Sequence, residues 1–364
     1  MPESENSILA LAAGEVAATS WRGEFVENRH RVHVAITDAA GRLLYRSGDA
    51  HRVTLVRSAA KPAQALAVLE TTEPPEFGFD DGDLALLCAS HSAEPIHLAR
   101  AGALLVRLGL QESDLRCGAH PSLNDFVNRT WIRCDVVPGP LSSNCSGKHI
   151  GMLAAARALT GSVADYHQPE HLLQHRIRHT LAELVCCPVE QIGWAIDGCN
   201  LPTPALPLYR LAHLYAGLAA AADRAEGPRA ATLPLRTHRL ARLYRAIAQH
   251  PTLIAGTGRF CTALVTAFDG ALIGKVGADG CYAVGIRASA VTHLAVAAGG
   301  ALGIAVKVED GAGAVVPSIV CEVLRQLALP VPAALASFCA PEMHNTVGLL
   351  VGRLELSLRL HRAD

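Results

Sequence analysis

Three of the four lysines in this 364-residue chain sit where a neutral amine would have chemistry to do: RSAAKP around Lys61, NCSGKHIG around Lys148 and LIGKVGADG around Lys275. The other 28 of its 32 basic residues are arginine. Arginine keeps its proton in proteins and cannot serve as a base, whereas lysine can once burial or a neighbouring cation lowers its pKa. A chain that uses arginine for fixed positive charge marks its remaining lysines as candidates. Lys307, in AVKVED, reads as an ordinary strand lysine.

Ser58 stands three residues before Lys61, and Pro62 follows directly. With 17 serines and four lysines in the chain, chance alone gives this spacing roughly 0.2 times, so the match is informative without being decisive. Proline is accepted in the first turn of a helix and not in its interior, which predicts a helix start at about 58–60. Ser58 then lies at the positive end of a helix, beside backbone N–H groups that can hold an oxyanion. Lys61 on the same face is a base for the serine hydroxyl. The competing reading makes Ser58 an N-cap and Lys61 a solvated side chain.

Further candidates follow. LLCASHSAEPIH (86–97) reads as a buried strand whose end presents Ser90, His91 and Ser92, or as a turn capping a helix near Pro95. Cys145 in NCSGKHIG and Cys199 in DGCNLPTP have polar, turn-forming neighbours, unlike Cys88 and Cys261 in apolar runs. Such thiols are exposed for chemistry or available to a metal, although neither belongs to a Cys-x-x-Cys pair. His167, His171, His175 and His179 recur every four residues. That spacing suits zinc on a helix, but a solvated polar face is the expectation here. Cys186-Cys187 reads as core or helix-end packing.

These residues need elements to position them. Residues 8–56 read as β-structure with a hairpin at DAAGR. Apolar spacing of three and four predicts helices at about 96–109, 147–160, 170–185, 206–222, 234–249 and 313–328. CYAVGI, THLAVAAG and GIAVKVED read as late strands, and AAADRAEGPRAA (220–231) as an exposed loop. Strands, then helices, then strands imply an α+β fold in which both ends of the chain share one sheet around an inserted helical region. A single unit is expected, its α/β part from about 8–90 and 255–350 and its helical part from about 95–250. The net charge of −1 gives no nucleic-acid or membrane footprint. An acidic N-terminus without a signal peptide and eleven scattered cysteines point to a cytoplasmic protein with reduced thiols.

RSAAKP, CASHSAEP, NCSGKHIGML, DGCNLPTPALPL, AGTGRF and GKVGADGCYAVG occur here in that order. Together they resemble the bacterial asparaginase II family, the thermolabile Rhizobium-type L-asparaginases, over about residues 10–350. The resemblance implies a fold similar to serine β-lactamases and glutaminases, an antiparallel sheet with flanking helices in which Ser-x-x-Lys opens a helix beside the sheet, and the hydrolysis of L-asparagine to L-aspartate and ammonia. It implies two Ser–Lys pairs, Ser58 with Lys61 and Ser90 with Lys275. It implies a zinc ion on Cys145, Lys148 and Cys199, with Lys148 neutral, and substrate-orienting roles for Arg57, His91, Asp197 and His149. It also implies a homodimer. Either serine remains available as the nucleophile, with the second pair relaying protons or poising Lys61. Asn200 departs from the smaller residue expected in its turn, and GKVGADG is the loosest match. The alternatives are a glutaminase or other serine amidohydrolase on the same scaffold, and a non-catalytic zinc- or ligand-binding protein.

Overall fold

The structure, a computed structural model, describes residues 14–72, 77–291 and 300–363. Its strands are β1 (Glu15–Arg22), β2 (Phe25–Asp38), β3 (Leu43–Ser47), β4 (Val53–Leu55), β5 (Gly193–Ile196), β6 (Pro202–Pro207), β7 (Leu272–Val276), β8 (Cys281–Ile286), β9 (Leu302–Val308), β10 (Met343–His344), β11 (Leu350–Leu356) and β12 (His361–Arg362). The α-helices are α1 (Lys61–Thr72), α2 (Asp81–Cys88), α3 (Pro95–Arg107), α4 (Asp125–Arg133), α5 (Ser146–Thr160), α6 (Leu172–Leu184), α7 (Leu208–Glu226), α8 (Leu235–Gln249), α9 (Pro251–Ile254), α10 (Phe260–Ala267), α11 (Val316–Gln326) and α12 (Ala336–Cys339). The fold is α+β.

Strand β2 organises the main sheet. Its 14 residues pair with β1, β3 and β9, all antiparallel. The path runs β10-β11-β1-β2-β9-β8-β7, so strands from both ends of the chain are interleaved. The β2–β3 hairpin closes where the sequence places it, with Asp38 Oδ1 accepting from the N–H groups of Ala40 and Arg42. A second sheet, β4-β6-β5, carries the turns on either side of the site.

The apolar helix α7 lies against β2, β8 and β9. Two glycines permit this contact. A Cβ on Gly303 would stand 1.8 Å from the Ala212 carbonyl oxygen, and one on Gly285 would stand 2.7 Å from that of Tyr215. From the same helix, the Tyr215 hydroxyl donates to Ala59 O at 2.9 Å and so ties the turn carrying Ser58 to the helix that lies on the sheet.

The helices expected at about 96–109, 147–160, 170–185, 206–222, 234–249 and 313–328 correspond to α3, α5, α6, α7, α8 and α11. Two expectations are corrected. The apolar run before Ser90 is the helix α2 rather than a strand. Asp80 and Asp83 form a capping box at its start, and so short a run carries no periodicity that separates the two states. The loop expected at 220–231 is helical as far as Glu226, as its alanine content favours. THLAVAAG and residues 8–13 lie outside the described residues.

Gly303→Ala is expected to cost at least about 3 kcal/mol, because backbone must move to admit the methyl group. Gly217→Ala, within α7 where a Cβ meets nothing within 4 Å, is expected to add about 0.5–1 kcal/mol. Calorimetric melting of the two variants checks the contrast.

Candidate active site

A short 3-10 turn, Arg57–Ala60, precedes α1 and places Ser58 ahead of Lys61 at the helix start. Arg57 adopts a φ of +50°, a region costly for a residue with a side chain. Its guanidinium is held from two directions, by Asp197 Oδ1 at 2.9 Å and Asp279 Oδ2 at 2.5 Å. Ser58 lines a cavity of about 300 Å³ together with Arg57, Asn144, Cys145, Asp197 and Cys199. Among the described residues no protein group hydrogen-bonds its hydroxyl.

Behind this cavity wall lies a buried cluster. Helix α2 ends at Cys88, and the chain then extends through Ala89 to Ser90, whose N–H donates to Ile254 O. Lys61 Nζ donates to Ser90 Oγ at 3.1 Å, and Lys275 Nζ, from β7, donates to the same oxygen at 2.7 Å. Lys61 and Lys275 are 0% and 1% exposed. Lys61 also donates to Ala89 O and to Asn144 O at 3.3 Å, and Lys275 donates to Val276 O at 2.8 Å. The Lys61 amine is thus directed at Ser90, and its hydrogen bonds do not include Ser58.

Two cations cannot comfortably share one buried hydroxyl. Burial lowers the pKa of Lys61. Burial, with the charge of Lys61 added, lowers Lys275 to about 7. Lys61 faces three oxygen acceptors and Lys275 two, so the geometry suits Lys61 as the ammonium and Lys275 as the amine.

Cys145 immediately precedes α5, whose first turn carries Lys148 and His149. Cys199 enters from the turn after β5, and Lys148 Nζ donates to its sulfur at 3.1 Å. The hydrogen bond with Cys199 holds the Cys145 thiol well below its ordinary pKa and raises that of Cys199, so the two share one proton. Burial works against the Lys148 cation, but the two sulfurs outweigh it and raise its pKa. Among the described residues no group of three or more His, Cys, Asp or Glu side chains is arranged for a metal. Two sulfurs and an amine do converge here, a donor set that suits zinc once the lysine is neutral. The spaced histidines do not join it. His171 caps α6 and His175 pairs with Glu170. All eleven cysteines are free, Cys186 and Cys187 included.

The remaining candidates divide. Asp197 lines the cavity, and Lys148 and Arg57 hold its carboxyl below the usual range despite burial. His91 is buried with both nitrogens committed. Its Nδ1 accepts from Ala93 N–H, leaving Nε2 to donate to Ser146 Oγ at 2.9 Å. Burial, with His97 and Lys61 nearby, keeps it neutral. His149 is also buried, with Nδ1 2.6 Å from the Tyr166 hydroxyl. Neither imidazole lines the cavity.

Two further residues belong to the site. Asp279, in the Gly277–Gly280 turn, reaches Arg57 from 222 residues away. His120 Nε2 accepts from Asn144 N–H, holding the residue whose carbonyl Lys61 uses. GADG signals a turn, but nothing in it signals that distant partner.

An α+β scaffold thus presents a hydroxyl to a polar cavity, with a serine and two buried amines behind it, groups of the kind that acyl-transferring hydrolases use. The family model for L-asparaginase II matches residues 18–356, and the chain belongs to that family. It is therefore an asparaginase-type amidohydrolase acting on a small molecule. A search of curated proteins gives no match. No helix among the described residues is long and apolar enough to cross a membrane.

Unfolded Lys275 would release its proton near pH 10.4, against about 7 in the fold. Between those values the unfolded chain binds more protons, so stability rises with pH. Lys275→Met is expected to be more stable than the wild type below pH 7, with the advantage shrinking toward pH 10; denaturant melts at several pH values check this. Asn200 has φ +66°, where asparagine is better tolerated than other side chains. Asn200→Gly is expected to be close to neutral and Asn200→Ala to cost about 1 kcal/mol, read from the same melts.

Proposed function

We propose that the protein hydrolyses L-asparagine to L-aspartate and ammonia on a β-lactamase- and glutaminase-like scaffold, through an acyl-enzyme formed on Ser58. One observation carries the reading: Ser58 faces the cavity while Ser90, 3% exposed, is held between two lysine amines. The accessible hydroxyl suits attack and the enclosed one suits proton transfer.

Ser90 passes a proton to Lys275 and takes one from Lys61, which leaves Lys61 neutral. Lys61 then accepts the Ser58 proton as Oγ attacks the side-chain amide carbon. Collapse of the tetrahedral intermediate breaks the C–N bond, and Lys61 returns its proton to the departing nitrogen. Water hydrolyses the aspartyl ester by the same proton route, and Ser58 is regenerated. Arg57 and Asp197 offer the opposite charges that an α-amino acid requires. His91 and His149 act from behind the wall, His91 by fixing Ser146 beside Cys145.

Cys145, Lys148 and Cys199 would hold zinc. When bound, that ion supplies a fixed positive charge able to orient or polarise a substrate oxygen. The proposal includes a homodimer in the cytoplasm.

The test is ammonia release from L-asparagine, with L-glutamine and a chromogenic β-lactam as comparison substrates. Asparagine is expected to be preferred, and Ser58→Ala to lose at least about a thousandfold in kcat. The wild-type kcat/KM is expected to rise with pH through a midpoint near 7 as Lys275 loses its proton. An active Ser58→Ala protein would reassign the nucleophile. A folded wild type that releases no ammonia from asparagine would refute the substrate.

A further inference from the structure

A second cavity of about 300 Å³ adjoins the Gly277–Gly280 turn and has no lining residue in common with the Ser58 cavity. Its walls are mainly apolar and aromatic. Phe260 stands 5.3 Å from Tyr282 and 5.2 Å from Phe338, centroid to centroid, and Val316 adds an aliphatic surface. The volume is that of a site for a ligand about the size of one ring with a short chain.

Charge is what distinguishes this cavity. Asp279 lines it, its carboxylate drawn to Arg57 at 2.5 Å, a guanidinium it shares with Asp197. Arg259 lines it too. The residue is half-buried, and its guanidinium donates through Nη1 to Ser92 Oγ at 3.0 Å. Among the described residues it has no carboxylate partner. A partly desolvated guanidinium without an anion is costly to maintain, and its planar fork matches a carboxylate. The cavity therefore combines a guanidinium that no carboxylate pairs with and an aromatic wall.

We propose that this cavity binds a small carboxylic acid with an aromatic or branched apolar body, its carboxylate on Arg259 and its body against Phe260, Tyr282 and Phe338. A phosphate or sugar would leave the aromatic wall in contact with polar groups, and a neutral apolar molecule would leave Arg259 unmatched. The site is separate from the proposed amidohydrolase chemistry, and binding is measurable whether or not asparagine is hydrolysed.

The probe is 3-phenylpropionate, titrated calorimetrically into the full chain. Saturable binding at one site per chain is expected, undiminished by saturating L-aspartate. The neutral amide of the same acid is expected to bind at least about tenfold more weakly, as loss of a charge-assisted contact implies. Arg259→Gln is expected to weaken the acid by a similar factor. Gly313→Trp, at a lining position where a Cβ meets no heavy atom within 4 Å, is expected to fill the cavity and abolish binding while the backbone folds as before. Circular dichroism confirms folding of both variants. Absence of saturable binding up to about 10 mM, displacement by aspartate, equal binding of the amide, or binding retained in either folded variant would overturn the proposal.

Discussion

Two lysine amines meeting at the Ser90 hydroxyl form the contact on which the site depends. Both side chains are enclosed, and an ammonium in such a place loses hydration that only nearby oxygens replace. The protein supplies those oxygens from four backbone or side-chain positions, Ala89, Ser90, Asn144 and Val276. Ala89 and Ser90 follow α2, Asn144 precedes α5 and Val276 ends β7, so the pair cannot be assembled unless α1 and these three parts of the fold are all in place.

That requirement explains features with no direct chemical role. The stretch from Ser90 to Glu94 is bonded to the end of α9 and the turn after it by Ser90 N–H to Ile254 O, by Ser92 Oγ to Ala255 O and by Thr257 N–H to Glu94 Oε1. Stacked His91 and His97, 5.0 Å apart, join that stretch to Ser146 on one side and Thr252 on the other. His120 fixes the Asn144 peptide. These contacts hold still the groups that a proton relay needs at constant distance. On the cavity side, Arg57 is strained in its backbone and clamped by two carboxylates, a rigid floor beside Ser58.

Much of this was legible in residue types. The scarcity of lysine singled out Lys61, Lys148 and Lys275, and all three lie in or beside the site. Pro62 fixed the helix start within a turn, and the interleaving of terminal strands followed from the order of periodic segments. Three things were not legible. The partner of Lys61 is a hydroxyl 29 residues away rather than the serine three residues before it, because α1 directs the amine inward, past its own first turn. The run at 84–88 is buried on every side, which erases the contrast that separates a helix from a strand. Asp279 and His120 act through long-range contacts, which local pattern does not encode.

The central claim is that Ser90 links two buried lysines, of which one is a neutral amine near pH 7. With four lysines in the chain, labelling lysine with ¹³C at Cε gives one NMR resonance for each. A pH titration of the labelled protein therefore reads each amine directly. One resonance is expected to titrate near pH 7 and to be absent from Lys275→Met. Four resonances that all titrate at or above the ordinary lysine pKa of about 10.4 would contradict it.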